Sequence, residues 1–142
     1  MRIADLQEGD SRTAIVVDGL TRTQLVMYAG ASGDYNPLHT DEVYATQVAG
    51  YDAVIAHGQL TMGLTATVVT GWVDEADLGA FGVRFKNQVL PGDTLTVTAT
   101  VVSVADSTHG PEAELTLSTV NQSGVEVVTG YARLRSPWGT VR

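Results

Sequence analysis

Gln59-Leu60-Thr61-Met62-Gly63-Leu64-Thr65-Ala66-Thr67-Val68-Val69-Thr70-Gly71-Trp72-Val73 has the length of a helix but carries no charged residue on any face. A helix on a protein surface shows a polar side to water, so a helix without one calls for protein around it. The run is shorter than the roughly 20 apolar residues that cross a bilayer, and threonine and glycine interrupt it. It reads as a buried core helix, and the rest of the chain must supply its cover.

That cover is legible on the C-terminal side. Val83-Arg84-Phe85-Lys86 alternates, Pro91-Gly92-Asp93 is a turn, and Thr94 to Val104 is a long β-branched run. A second turn over Asp106 to Pro111 leads to strands at Glu114 to Val120 and Val125 to Leu134, which complete a meander. On the N-terminal side, Arg12 to Asp18 reads as a first strand. Thr21 opens a short helix through about Ala29, because Thr-x-x-Gln is a capping-box pattern. Gly30 to Pro37 breaks that helix, and Thr40-Asp41-Glu42 starts another that ends near Gly50. Helices followed by a run of strands predict an α+β class: one domain over residues 1–142, an antiparallel sheet wrapped around one buried helix. The hot-dog architecture fits this order.

At 142 residues the chain can bury about 70% of its unfolded surface without staples. It has no cysteine, which excludes disulfides, thiolate metal sites and cysteine nucleophiles. The formal charge is −8, unfavourable for binding a phosphate backbone, so nucleic acid is not an expected partner. Residues 1–83 hold eleven acids against three bases, and residues 84–142 hold five of each. An anionic ligand should therefore draw its cations from the second half. The first residues lack a long apolar run behind a basic end, so a cytoplasmic location without a membrane is expected.

Two stretches carry candidate chemistry. The first is the loop holding Gly33, Asp34, Asn36, Pro37 and His39. An Asp and a His on a stiff loop can converge, and an acid–base reaction needs one group to take a proton and another to give it. Histidine suits either role near neutrality. Taken by spacing alone, Asp34 reads first as a turn cap and His39 as a partner for a backbone carbonyl, with the acid–base pair as the alternative. The second stretch is Ala56-His57-Gly58-Gln59-Leu60-Thr61, at the start of the buried helix. Free N–H groups there attract negative charge, and Gly58 admits a ligand close to the chain. An oxygen that becomes enolate-like suits that place. His57 itself reads as a core packing residue.

Tyr28-Ala29-Gly30-Ala31-Ser32-Gly33-Asp34-Tyr35-Asn36-Pro37-Leu38-His39-Thr40-Asp41 closely resembles the signature of MaoC-like dehydratases and (R)-specific enoyl-CoA hydratases. Ile55 to Gly63 resembles their second signature, and Val83-Arg84-Phe85 with Val89-Leu90-Pro91-Gly92-Asp93 their later strand and turn. The resemblance implies a hot-dog fold and reversible removal of water from a (3R)-3-hydroxyacyl thioester to give the trans-2-enoyl thioester. It implies a catalytic pair, Asp34 and His39. It places the thioester oxygen at the Gly58 N–H, gives Asn36 the ordering of the loop or of a water, and puts the Thr61 hydroxyl within reach of the Asp34 carboxylate. It implies no metal and no cofactor, and an acyl-CoA or acyl-ACP (acyl carrier protein) substrate of fatty acid metabolism. The usual assembly is a homodimer. The Leu-Thr-Met-Gly and Trp-Val segments most resemble family members that work with a second hot-dog subunit on acyl carrier protein, so a heterodimer is the alternative.

Two other roles share the fold but leave the loop unexplained. A hot-dog thioesterase has no need of the Asp34–His39 loop, and a subunit that only shapes a partner's tunnel has no need of both residues. Arg84 and Lys86 fall on one strand face, and Arg133 and Arg135 repeat the pattern; they read as a solvated face or as contacts to the phosphates of a carrier arm. His109 reads as surface, Trp72 and Trp138 as core or interface aromatics. The three histidines show no familiar metal-ligand spacing.

Overall fold

The computed structural model describes residues 1–108 and 110–135; His109 and Trp138 lie outside them. Five strands form one antiparallel sheet: β1 (Ser11–Val17), β2 (Leu78–Phe85), β3 (Leu95–Ser107), β4 (Gly110–Val120) and β5 (Glu126–Arg135). Their order across the sheet is β1-β3-β4-β5-β2. Two helices accompany them, α1 (Arg22–Ser32) and α2 (Gly58–Thr70).

The inward face of the sheet alternates as a half-buried strand should. Leu95, Val97, Ala99 and Val101 of β3 point to the core with Leu115 and Leu117 of β4 and Ala132 and Leu134 of β5. All of these but Leu95 meet Val68 and Val69 of α2, and Trp72 and Val73 just beyond it join the same cluster. A second cluster, closer to the N-terminus of α2, gathers Leu20, Leu25, Ala45, Val54 and Val89, with Leu60 and Leu64 packed on it. The burial of α2 is one-sided. Thr61, Thr65, Val68 and Val69 are buried, whereas Gln59, Gly63 and Thr67 stay exposed in the single chain.

A polar tie pins α2 to the sheet. The Thr65 hydroxyl donates to the Thr61 carbonyl at 2.9 Å and lies 2.8 Å from the hydroxyl of Thr119 on β4. Both threonines are fully buried. Thr119→Val keeps the shape and removes one hydrogen bond. It should lower stability by about 1 kcal/mol, read as a shift in the urea midpoint with an unchanged slope.

The capping box at Thr21 is present, with Thr21 and Gln24 each accepting from the other's backbone N–H. The helix it opens runs past Ala29 to Ser32. The helix expected from Thr40 to Gly50 is present over residues 42–48; it starts as an α-helix at 42–43 and widens into a π turn, Tyr44–Val48, whose Ala49 N–H reaches back to Tyr44 O. β2 begins at Leu78, ahead of the alternating segment that starts at Val83. The turn expected at Asp106 to Pro111 is narrower, since Asp106 pairs with Pro111 and Ser107 with Gly110. Lys86 does not continue the strand face of Arg84. Lys86 N–H and Asn87 N–H both turn to Val127 O, so the one-to-one register ends at Phe85. Among the described residues no helix is long and apolar enough to cross a membrane.

Candidate active site

The loop after α1 is built by short-range hydrogen bonds. Gly33 ends the helix with φ +75°, a left-handed conformation glycine adopts freely, and its N–H returns to Ala29 O. Ser32 Oγ accepts from Asp34 N–H, Asp34 Oδ1 accepts from Asn36 N–H, and Asn36 Oδ1 accepts from Leu38 N–H. Asn36 thereby caps the single 3₁₀ turn Pro37–His39. That turn aims His39 back toward Asp34.

Long-range contacts then fix the imidazole. His39 Nδ1 lies 2.7 Å from the carbonyl of Ile55, while Ile55 N–H donates to Leu38 O and Ala56 N–H to Val89 O. A carbonyl only accepts, so Nδ1 carries the proton and neutral His39 presents a bare Nε2. Nε2 stands 3.8 Å from Asp34 Oδ2; the His39 side chain is 11% exposed and that of Asp34 53%. The separation allows one substrate oxygen to be within hydrogen-bond reach of both atoms at once. Such a placement serves a base and an acid acting on one substrate.

His57 lies directly behind. Its ring stacks on His39 with centroids 3.7 Å apart and planes 24° from parallel, and Tyr28 meets its edge at 5.0 Å. Its Nε2 donates to the carbonyl of Asp34 at 3.1 Å. The fold therefore collects Asp34, His39 and His57 with one ligand atom of each within 4.8 Å, a cluster that residue spacing did not reveal. Nδ1 of His39 and Nε2 of His57 are committed to carbonyls. Asp34 Oδ2, His39 Nε2 and the buried Nδ1 of His57 remain uncommitted in this cluster.

Helix α2 starts at Gly58, so the first N–H groups beside this pair have no intrahelical acceptor. The Phe85 ring covers Gly58 so closely that a Cβ there would stand 3.1 Å from it. A pocket of about 630 Å³ opens at this helix end, lined among others by Gly58, Thr61, Phe85, Lys86, Val89 and Val127. Thr61 lines the pocket, but its hydroxyl bonds back to His57 O at 3.5 Å rather than to the Asp34 carboxylate, a common habit of threonine inside a helix. Of the four basic residues singled out above, Lys86 alone borders this pocket. Arg84 is exposed on the outer face of the sheet, where Arg133 pairs with Glu114 at 3.3 Å.

The order of strands and the helix packed on the sheet define a hot-dog fold, with the Asp–His loop at that helix's N-terminus. A family model described as MaoC like domain matches residues 6–122, and the chain belongs to this family. It is 32% identical over 139 residues to an (R)-specific enoyl-CoA hydratase of Rhodospirillum rubrum, covering 94% of this chain and 90% of that one. It is 37% identical over 82 residues to 3-hydroxyacyl-thioester dehydratase Y of Mycobacterium tuberculosis, covering 56% of this chain and 28% of that protein. The chain thus spans 28% of that dehydratase, and 11% of the mouse peroxisomal multifunctional enzyme type 2 that it also matches. Among solved structures, the R-hydratase PhaJ1 from Pseudomonas aeruginosa superposes with a TM-score of 0.80 at 26% identity, covering 95% of this chain and 84% of that one. The (R)-hydratase from A. caviae also superposes with a TM-score of 0.80, at 25% identity, covering 94% and 98%.

Proposed function

We propose that the protein interconverts (3R)-3-hydroxyacyl and trans-2-enoyl thioesters by adding or removing water. The observation that carries this reading is the His39 Nε2–Asp34 Oδ2 pair, 3.8 Å apart, with Nδ1 of His39 held by a carbonyl. The pair stands beside the free N-terminus of α2. In dehydration His39 Nε2 takes the C2 proton, and the C–H electron pair becomes the C2–C3 double bond. The C3–O bond breaks, and the hydroxyl leaves as water with the proton of Asp34. The pair carries one proton between them, on Asp34 before elimination and on His39 after it. In hydration the two side chains hold and polarise one water. The Gly58 N–H receives the thioester oxygen as charge grows on it, where the helix dipole favours a negative group.

Asn36 holds the loop in register, and Thr61 forms part of the substrate pocket. The carrier is CoA or acyl carrier protein, with Lys86 as the cation beside the pocket. The exposed face of α2 and the unpaired edge of β2 are suited to a second hot-dog chain, as a homodimer or with a different subunit. Light scattering on the purified chain separates these assemblies.

Hydration of trans-2-enoyl-CoA substrates from short to long chains tests the reaction. Loss of the conjugated thioester absorbance with (3R) product from wild type, and none from Asp34→Asn, supports it. Silence from folded protein on CoA and carrier-protein substrates alike, with and without a second subunit, overturns it. Gly58→Ala probes the helix end. The half-exposed Phe85 ring has room to swing aside, so melting should change little. The added methyl and displaced ring should raise KM about tenfold, measured by steady-state kinetics.

A further inference from the structure

We propose that His57 is a positioning residue for the Asp34–His39 pair, a role that rests on the reaction proposed above and goes beyond it. His57 is 1% exposed, so nothing from solvent satisfies its ring. Its Nε2 faces the carbonyl of Asp34 at 3.1 Å. A carbonyl accepts only, so Nε2 holds the proton and Nδ1 is bare. That Nδ1 is buried and has no hydrogen-bond partner. An unpartnered buried nitrogen lowers stability, and a phenyl or aliphatic side chain would fill the same space without that cost. Packing alone therefore does not explain a histidine here.

What the histidine adds is the pairing of two contacts that no apolar residue combines. The N–H tethers the backbone of Asp34 to the residue just before α2. The flat ring stacks on the face of His39 at 3.7 Å, while the ring edge of His39 bonds Ile55 O. One residue thereby sets the relative position of the acid and the base, and it does so from the element that also supplies Gly58. The acid, the base and the helix N-terminus are fixed in one frame. His57, with its proton committed to Asp34 O, also leaves the transferred proton of the proposed reaction to Asp34 and His39.

Two variants separate the contacts. His57→Phe keeps a ring against His39 and loses the donor. It should melt no lower than wild type, keep KM within about twofold and lose roughly 10²-fold in kcat, the scale expected when reacting groups shift by about 1 Å. His57→Gln presents an amide N–H near the position of Nε2 and should recover at least about tenfold of that loss. Nitrogen NMR of wild type should show a bare Nδ1 and a protonated Nε2 on His57, with no substrate required. A folded Phe variant at wild-type kcat overturns the role, as does a Gln variant no better than Phe, or the opposite tautomer. An inactive wild type that nonetheless shows this tautomer counts against the proposed reaction alone. An active wild type with Nδ1 protonated counts against His57 alone.

Discussion

Asp34→Asn and His39→Ala each lower turnover of an enoyl thioester by roughly 10²–10⁴-fold, the range lost with a general acid or base. The two variants fail for different reasons. In Asp34→Asn the side-chain oxygen still accepts from Asn36 N–H, the bond that shapes the loop, so the backbone path survives. The amide can neither deliver a proton to a departing hydroxyl nor hold the counter-charge to a protonated His39. His39→Ala removes the base and leaves the Ile55 carbonyl without the imidazole it holds at 2.7 Å. Unmaking that bond costs about 1 kcal/mol, well below what unfolding requires. Circular dichroism should therefore match wild type in both variants. A rate near wild type from either folded variant overturns the assignment of the pair.

The second large effect is on the sheet. A Cβ placed on Gly130 would stand 2.5 Å from the carbonyl oxygen of Gly82 and 3.1 Å from Val83 Cγ1. The first neighbour is backbone, so no side chain can rotate to relieve it; β2 has to move off β5. Gly130→Ala should lower stability by about 3 kcal/mol, read as a shift in the urea midpoint. The displacement also reaches the site, because Phe85 at the end of β2 covers Gly58. KM should rise in the variant under conditions where it is still folded. Wild-type melting would contradict the pairing of Val83 with Gly130.

Gly130 and Gly82 also explain why β2 was only half legible. Leu78 to Gly82 contains two glycines, and glycine disfavours strands. The reason it is tolerated lies on the neighbouring strand. A side chain on Gly82 would meet the Tyr131 ring at 2.6 Å. No pattern within residues 78–82 carries that information. The helix over 42–48 is similar: acids at its start suit the α-helical turn that opens it, yet it widens into a π turn, Tyr51 N–H closes on Ala45 O, and the chain turns away to bring Ile55 under His39.

The local features needed no such context. Thr21 and Gln24 cap a helix through bonds three residues apart. Leu90, Pro91, Gly92 and Asp93 close a turn through Asp93 N–H to Leu90 O, with Asp93 Oδ2 accepting from Leu90 N–H. Asp34, Asn36 and His39 share one short loop, so their order along the chain already places them together. Lys86 required the sheet, since its departure from the Arg84 face depends on the Val127 carbonyl across the strand pair.

By itself the sequence determined the α+β order, the uncharged helix at the centre and the loop that carries Asp34 and His39, because each rests on bonds or periodicities spanning a few residues. Only the tertiary structure decided which nitrogen of His39 is bare, that His57 stands behind it with an unpartnered Nδ1, and that Phe85 and Lys86 meet the end of α2. Those outcomes depend on which carbonyl or ring a distant segment brings within about 3–4 Å, and residue spacing along the chain does not encode that distance.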